Sequence, residues 1–288
     1  AASDVYKRQN WNPTWICPAN DLGDPAAVFG TSFVFEKKIT HANLTITAMG
    51  VYEARLNGRH VGQFVMAPGW TSYHKRLQYQ KYDITDLLTN GKNEIEVTVG
   101  KGWYRSPLPG WLGCAYQDEL RSRPCGLAAQ ITLTFEDGSS KILSTDESWK
   151  VSDGPVRFSE IYDGEIYDSA KTPLLDQPVT IFDGPTDTLI LQQGEEVCEQ
   201  ERLAVKKVFV TPNGETVLDF GQNMTGYVEL FVNAKAGDCV DLSFAEVMDK
   251  EGNFYTENYR GAKAQYHYIC SDGVQTVSYT HLRAHETA

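Results

Sequence analysis

The chain has 288 residues, enough for one large or two medium domains. Its formal net charge of −12 repels phosphates and argues against a nucleic-acid partner. Hydrophobic residues make up 41% and charged residues 22%, an ordinary globular balance, and no run of about 18 apolar residues exists to cross a membrane as a helix.

The two ends are read apart from the fold. Asp4-Val5-Tyr6-Lys7-Arg8-Gln9 and Val277-Ser278-Tyr279-Thr280-His281 would both be encoded by one DNA element read in opposite orientations. Residues 1–9 and 277–288 are therefore expected to be adapter-derived scars, and are set aside. From Trp11 to Pro25 the chain reads as an irregular lead-in. Regular patterning starts near Val28, with Phe33–Ile39 strand-like and Leu44–Ala48 alternating apolar and polar at period two. Tyr52–Leu56 continues as a strand. Asn57-Gly58 supplies the pair of positive-φ residues a type I′ hairpin needs, and His60–Val65 is expected as the return strand. Pro68-Gly69-Trp70-Thr71-Ser72-Tyr73 reads as a loop and Leu77–Tyr82 as a strand. Asp83 is placed to cap a short turn ending before Gly91. Asn93–Val99 alternates again, and Gly100 and Gly102 are expected to break that strand and present Trp103, Tyr104 and Arg105 in a loop.

Ser106–Pro124 reads as loop, Leu127–Phe135 as a strand, and Asp137-Gly138 as a turn. Ile142–Val151 and Val156–Ile161 read as two further strands, followed by the acidic, aromatic Tyr162–Asp168. No long amphipathic helix is seen. Short strands at this spacing predict an all-β fold, a jelly-roll-like β-sandwich spanning residues 10–170. Residues 171–200, with Pro173, Pro178 and Pro185, read as a linker and the lead into a second domain. Strands are expected again at Lys206–Val210, Glu215–Phe220, Gly226–Asn233, Cys239–Ala245 and Gln265–Cys270. This second β-sandwich, residues 201–276, is expected to be truncated.

Nothing in the chain carries a nucleophile elbow, a zinc-helix motif, a phosphate loop or a dinucleotide fingerprint. No cofactor is expected, nor a metal site, since ligand residues are not clustered. His41, His60, His74 and His267 read as scattered surface or packed histidines. The six cysteines are widely spaced and read as reduced thiols, which leans toward a cytoplasmic rather than a secreted setting. Asp163 and Glu165 form the densest loop pair of carboxylates near aromatic residues, and paired carboxylates are the tools of glycoside hydrolysis. Spacing alone does not make them catalytic; a solvated loop has the same pattern. Trp70, Tyr73, Trp103, Tyr104 and Trp111, with Arg105 beside them, could stack on sugar faces or plug the sandwich, and both readings stay open.

The strings Leu56-Asn57-Gly58, Pro68-Gly69-Trp70-Thr71, Tyr82-Asp83-Ile84-Thr85 and Gly100-Lys101-Gly102-Trp103-Tyr104-Arg105 resemble the N-terminal β-sandwich of bacterial α-L-rhamnosidases. Ser159–Glu165 closes that domain in the same pattern. Asp219-Phe220-Gly221-Gln222-Asn223-Met224, Ala245–Asp249 and Thr256-Glu257-Asn258-Tyr259-Arg260 resemble the concanavalin-like module of the same family. Ser106 and Tyr259 depart from the residues usual there. The resemblance implies an enzyme that hydrolyses terminal α-L-rhamnose from glycosides with inversion, using carboxyl groups carried by a helical (α/α)6 barrel. No stretch of this sequence matches such a barrel, so no catalytic residue is assigned. The expected partners are a rhamnose-containing glycoside, through the whole enzyme, and the enzyme's own barrel. Two alternatives remain: a carbohydrate-binding module, or the sandwich portion of a β-galactosidase-like glycosidase.

Overall fold

The structure, a computed structural model, describes residues 11–106, 119, 122–259, 261–278 and 285–287. In chain order it runs β1 (Trp15–Pro18), β2 (Ala27–Phe35), β3 (Ile39–Met49), β4 (Val51–Leu56), β5 (Arg59–His60), β6 (Leu77–Asp83) and β7 (Gly91–Gly100). A one-turn helix, α1 (Gly102–Arg105), precedes β8 (Gly126–Phe135), β9 (Ser140–Ser144), β10 (Lys150–Asp153), β11 (Val156–Glu160) and β12 (Gly164–Asp168). Then come β13 (Gln177–Phe182), β14 (Leu189–Leu191), β15 (Lys207–Val210), β16 (Thr216–Asp219), β17 (Met224–Gly226), β18 (Glu229–Ala234) and β19 (Cys239–Ser243). The last strands are β20 (Val247–Met248), β21 (Phe254–Tyr255), β22 (Gln265–Ile269), β23 (Gly273–Ser278) and β24 (His285–Thr287). The all-β expectation, one sandwich followed by another, is matched.

The first unit is one curled sheet in the order β14-β6-β3-β8-β1-β13-β10-β2-β7-β4-β5, with β9 on the flank of β8. Curling brings Leu44, Ile46, Leu127 and Leu133 of one face against Phe29, Val97, Ile95 and Leu56 of the other, and these residues form its core. Period-two alternation puts them there: on β7, Asn93, Ile95, Val97 and Val99 are buried while Glu94 is exposed. The hairpin β4–β5 turns through Asn57 (φ 52°) and Gly58 (φ 75°), as the sequence requires. The Asn57 amide also donates to Asn93 Oδ1 at 2.8 Å and to the Leu87 carbonyl at 2.9 Å, which ties the turn to the start of β7.

Several expectations give way. The lead-in contains β1, which pairs with β8 and β13; it shows no alternation because Ile16 enters the main core while Trp15 packs into a satellite cluster with Leu77 and Ala128. The strand expected over Phe33–Ile39 ends at Phe35, and the return strand after Gly58 stops at His60. Asp83 bonds the Thr85 N–H at 2.9 Å and the Thr85 hydroxyl at 2.6 Å, but the turn is a single 3-10 turn over Thr85–Leu87, and Gly91 opens β7 rather than ending a helix. Ile142–Val151 divides into β9 and β10, because Asp146 turns the chain by accepting from the Ser148 N–H at 2.8 Å. Trp103, Tyr104 and Arg105 lie on α1 rather than in a loop.

The stretch read as a linker departs furthest from its reading. β13 lies between β1 and β10, and β14 pairs parallel with β6, so residues 171–200 return to the first sandwich. Pro178 masks the strand in sequence, yet its carbonyl still accepts from the Ala19 N–H at 3.2 Å. β11 and β12 instead join the second unit, in a four-stranded sheet β11-β12-β22-β19 in which β12 and β22 are parallel. The second unit's core is small: Phe244, Tyr266, Tyr268 and Cys270 are buried, with Tyr167, Leu230, Val240 and Leu242 against them. Cys270 was expected to end the last strand, but β23 follows and pairs with β18 as far as Ser278, while β24 pairs with β17. Cys17, Cys125, Cys198, Cys239 and Cys270 are free thiols; Cys114 lies outside the described residues.

Candidate functional site

Two surfaces concentrate aromatic and charged side chains. The first is a ledge beside β4. Gly69 donates to the Met66 carbonyl at 3.0 Å and Tyr52 to the Ala67 carbonyl at 2.7 Å, and these bonds hold the loop that carries Trp70 against the sheet. Opposite it, α1 follows β7 directly. Gly102 has φ 50°, and a Cβ there would lie 2.6 Å from Val51 Cγ1, so only glycine lets the helix sit this close to β4. Trp103 is thereby laid parallel to Trp70, with ring centroids 6.0 Å apart and planes within 2°. Trp103 is half-buried on Val51 and Met66, whereas Trp70 is 62% exposed.

Tyr73 and Tyr104 meet edge to face at 5.5 Å, and both are taken into the fold rather than offered to solvent. Tyr104 is buried, and burial raises both phenols, that of Tyr104 to about 12. The buried Tyr73 hydroxyl has no hydrogen-bond partner among the described residues. The Arg123 guanidinium lies 5.8 Å above the Tyr104 ring. Arg105 faces a separate, smaller cavity of about 280 Å³ next to Lys101 and Cys125. The structure therefore unites Trp70 with Trp103 and Tyr73 with Tyr104, and sends Arg105 elsewhere. Trp111 lies outside the described residues.

The second surface is a cleft of about 940 Å³ between the β4–β5 hairpin and the second unit. β4 turns Tyr52, Ala54 and Leu56 inward, which leaves Glu53 and Arg55 on its outer face. The Arg55 Nε donates to Glu53 Oε1 at 2.8 Å, and His60 Nδ1 lies 3.1 Å from the same oxygen. Burial raises the Glu53 carboxyl to about 7, against the opposing pull of Arg55. His60 moves the other way, lowered by burial and by Arg55; a carboxyl that keeps its proton to about 7 does little to hold a charge on the ring beside it. Across the cleft Tyr167 and Tyr268 stack at 5.3 Å with planes within 3°. Glu199, Arg202 and Tyr227 line a third side, where Arg202 donates to Glu229 at 2.8 Å.

Asp163 and Glu165 are brought to one cavity of about 460 Å³ on the second unit, together with Lys263, Asp241 and His267. Asp163 lies 3.8 Å from Lys263. Glu165 is buried and also reaches the larger cleft. Glu53 and Arg55 were not singled out from the sequence, and His60 was read only as a surface or packed histidine. The signal was present on β4, where opposite charges two apart share one face between inward apolar residues, but their opposing wall comes from far along the chain. Lys101 was also missed as a structural centre: it bonds buried Glu160 at 2.7 Å and Asp24 at 2.9 Å, with its ammonium 4.8 Å above the Phe158 ring.

A family model described as "Alpha-L-rhamnosidase N-terminal domain" matches residues 37–201, and one described as "Bacterial alpha-L-rhamnosidase concanavalin-like domain" matches residues 209–283. A curated alpha-L-rhamnosidase of Streptomyces avermitilis is 37% identical over 239 residues, which cover 79% of this chain and 23% of the relative. The crystal structure of a native rhamnosidase from Aspergillus terreus superposes with a TM-score of 0.87 at 35% identity, over 96% of this chain and 33% of that one. A Streptomyces avermitilis rhamnosidase solved with L-rhamnose gives a TM-score of 0.83 at 33% identity, over 91% of this chain and 26% of that one. The chain thus spans between 23% and 33% of the length of these relatives.

Proposed function

The chain belongs to the α-L-rhamnosidase family, and on that premise we propose that it is the non-catalytic N-terminal part of an enzyme that releases terminal α-L-rhamnose from glycosides. The observation that carries the reading is the succession of two family matches, N-terminal domain then concanavalin-like domain, over a chain that is a fraction of its relatives' length. Inverting hydrolysis needs one carboxyl group to protonate the leaving oxygen and another to activate water on the opposite face. In this reading both are carried by a helical barrel, and the two sandwiches support that barrel and shape access to it. The first sandwich is proposed to comprise residues 10–153, with 171–200 returning to complete it, and the second residues 201–276 together with β11 and β12, which lie beside β22. Asp163 and Glu165 are proposed to act at the junction of the units, not in proton transfer. Assayed alone on an aryl α-L-rhamnoside, the chain should give no turnover above the uncatalysed rate. Clear turnover by the purified chain defeats the proposal.

A carbohydrate-binding role is favoured by one observation, the exposed Trp70 backed by Trp103. A flat apolar ring stacks on the C–H face of a sugar, and a second ring behind it fixes the plane. In this role Trp70 makes the contact, Trp103 orients it, and Tyr73 and Tyr104 brace the loop. Rhamnose-containing oligosaccharides should quench tryptophan fluorescence, and Trp70→Ala should remove the response. Unchanged fluorescence at millimolar sugar would leave the ledge as a surface that packs on the barrel.

A further inference from the structure

We propose that the cleft between the β4–β5 hairpin and strands β12 and β22 is a binding site for a neutral saccharide, separate from the Trp70–Trp103 ledge. Its volume of about 940 Å³ lies within the range of small-ligand sites. Neither Trp70 nor Trp103 lines it. Its walls combine what sugar hydroxyls and C–H faces require. Glu53, Arg55 and His60 present a contiguous set of planar polar groups on one side. Tyr167 and Tyr268 present stacked rings on the other, and Phe64 and Tyr227 add two more aromatic side chains.

The charges choose the ligand class. An anion would meet Glu165 and Glu199 in the lining, within a chain of net charge −12. The two guanidinium groups that could attract it are already bonded to carboxylates, Arg55 to Glu53 and Arg202 to Glu229. A cation would have to compete with those same guanidinium groups for the carboxylates. A polyhydroxylated neutral ligand suffers neither conflict, because each hydroxyl both donates and accepts. The Glu53 carboxyl, held near neutrality, can do the same.

The test is an NMR titration of the full ¹⁵N-labelled chain with methyl α-L-rhamnoside, methyl β-glucoside, glucuronate and inorganic phosphate. Neutral glycosides should shift the amides from Glu53 to Phe64 and around Tyr167, with saturation; glucuronate and phosphate should not. His60→Ala removes a partly exposed side chain and should weaken binding by about 3–10-fold, the loss of one hydrogen bond. Trp70→Ala should leave the affinity at these amides unchanged. The proposal is overturned if no neutral glycoside shifts those amides, if the shifts map to Trp70 and Trp103 alone, or if the anions bind as well as the glycosides. It does not depend on the rhamnosidase reading, since an inactive chain can bind sugar in the cleft and a hydrolytic one can leave it empty.

Discussion

At the scale of single residues, Glu53 makes the clearest solution prediction. Its carboxyl, near 4.5 when unfolded, rises to about 7 in the fold because it is buried. The folded state therefore binds the proton more tightly than the unfolded chain. Its contribution to stability is fully present below about pH 4.5 and is lost as pH rises through about 7. Arg55 on the same strand, His60 on β5, and Glu165 and Tyr167 on β12 are the ionisable groups around it. Glu53→Gln should flatten the decline in urea-unfolding free energy between those two pH values, by on the order of 2 kcal/mol. An unchanged pH profile would show that the carboxyl ionises freely. Lys101 predicts the opposite kind of effect. Lys101→Met leaves Glu160 buried without its partner and should cost about 3–5 kcal/mol, measured by the same unfolding titration. Adding Glu160→Leu should return most of that loss, because the pair's desolvation cost disappears with the pair.

Residues whose role is local could be read from the sequence. Asn57 and Gly58 state a backbone demand that no tertiary contact needs to supply, and the hairpin follows. Trp70 and Trp103 stood out as aromatics in loop-like surroundings, although their parallel stacking was not legible. It rests on the Val51 side chain meeting a position with no Cβ at Gly102. Tyr73 and Tyr104 looked equivalent to those two, yet they are packed inside, since composition does not say which face of a loop is covered. Glu53, Arg55 and His60 were legible only as outward-facing polar residues. What makes them a site is the wall opposite, which the chain supplies after a long excursion.

At the scale of elements, α1 is the piece most sensitive to one atom. Gly102→Ala adds a Cβ within 2.6 Å of Val51 and forces an alanine to φ 50°. The cost should be about 1–3 kcal/mol in thermal or urea unfolding. The tryptophan pair should also separate, seen as a change in near-UV circular dichroism. Native-like stability with an intact tryptophan signal would show that the helix can shift away from β4. The strands that sequence reading found and those it missed differ in one respect. β4, β7 and the second half of β8 each have one face more covered than the other, so alternation marks them, while β3 alternates in sequence because Thr45 and Thr47 supply its second, also buried, face. β1 is buried without alternation and β13 carries Pro178, so neither has a local signature. Each is recognised only by the strands beside it.

At the scale of the whole molecule, the two units are unequally built. The first has a continuous core running from Ile16 to Val179. In the second, four residues form the buried centre, while Val208, Val210, Phe231 and Val274 stay exposed, Val274 at 80%. Regions with few buried apolar contacts open at lower free energy than a packed core. Amide hydrogen exchange should therefore be faster across β15–β18 and β20–β21 than across β2, β3, β7 and β8, with β12 and β22 between the two groups. Uniform protection across all of these strands would refute that ordering.

The course of the chain between the units has a consequence for how they could be inherited. From β10 the backbone leaves the first sandwich and lays β11 and β12 beside β22. It returns to place β13 between β1 and β10, then leaves again for β15. No single cut separates the two sheets. A break before β11 strips the first sandwich of β13 and β14, and a break after β14 strips β22 of its parallel neighbour. Recombination between genes, which splices at one junction at a time, would have to carry both sandwiches together or ruin one of them. The pair behaves as an indivisible cassette, and a laboratory fusion partner belongs outside it rather than at the midpoint.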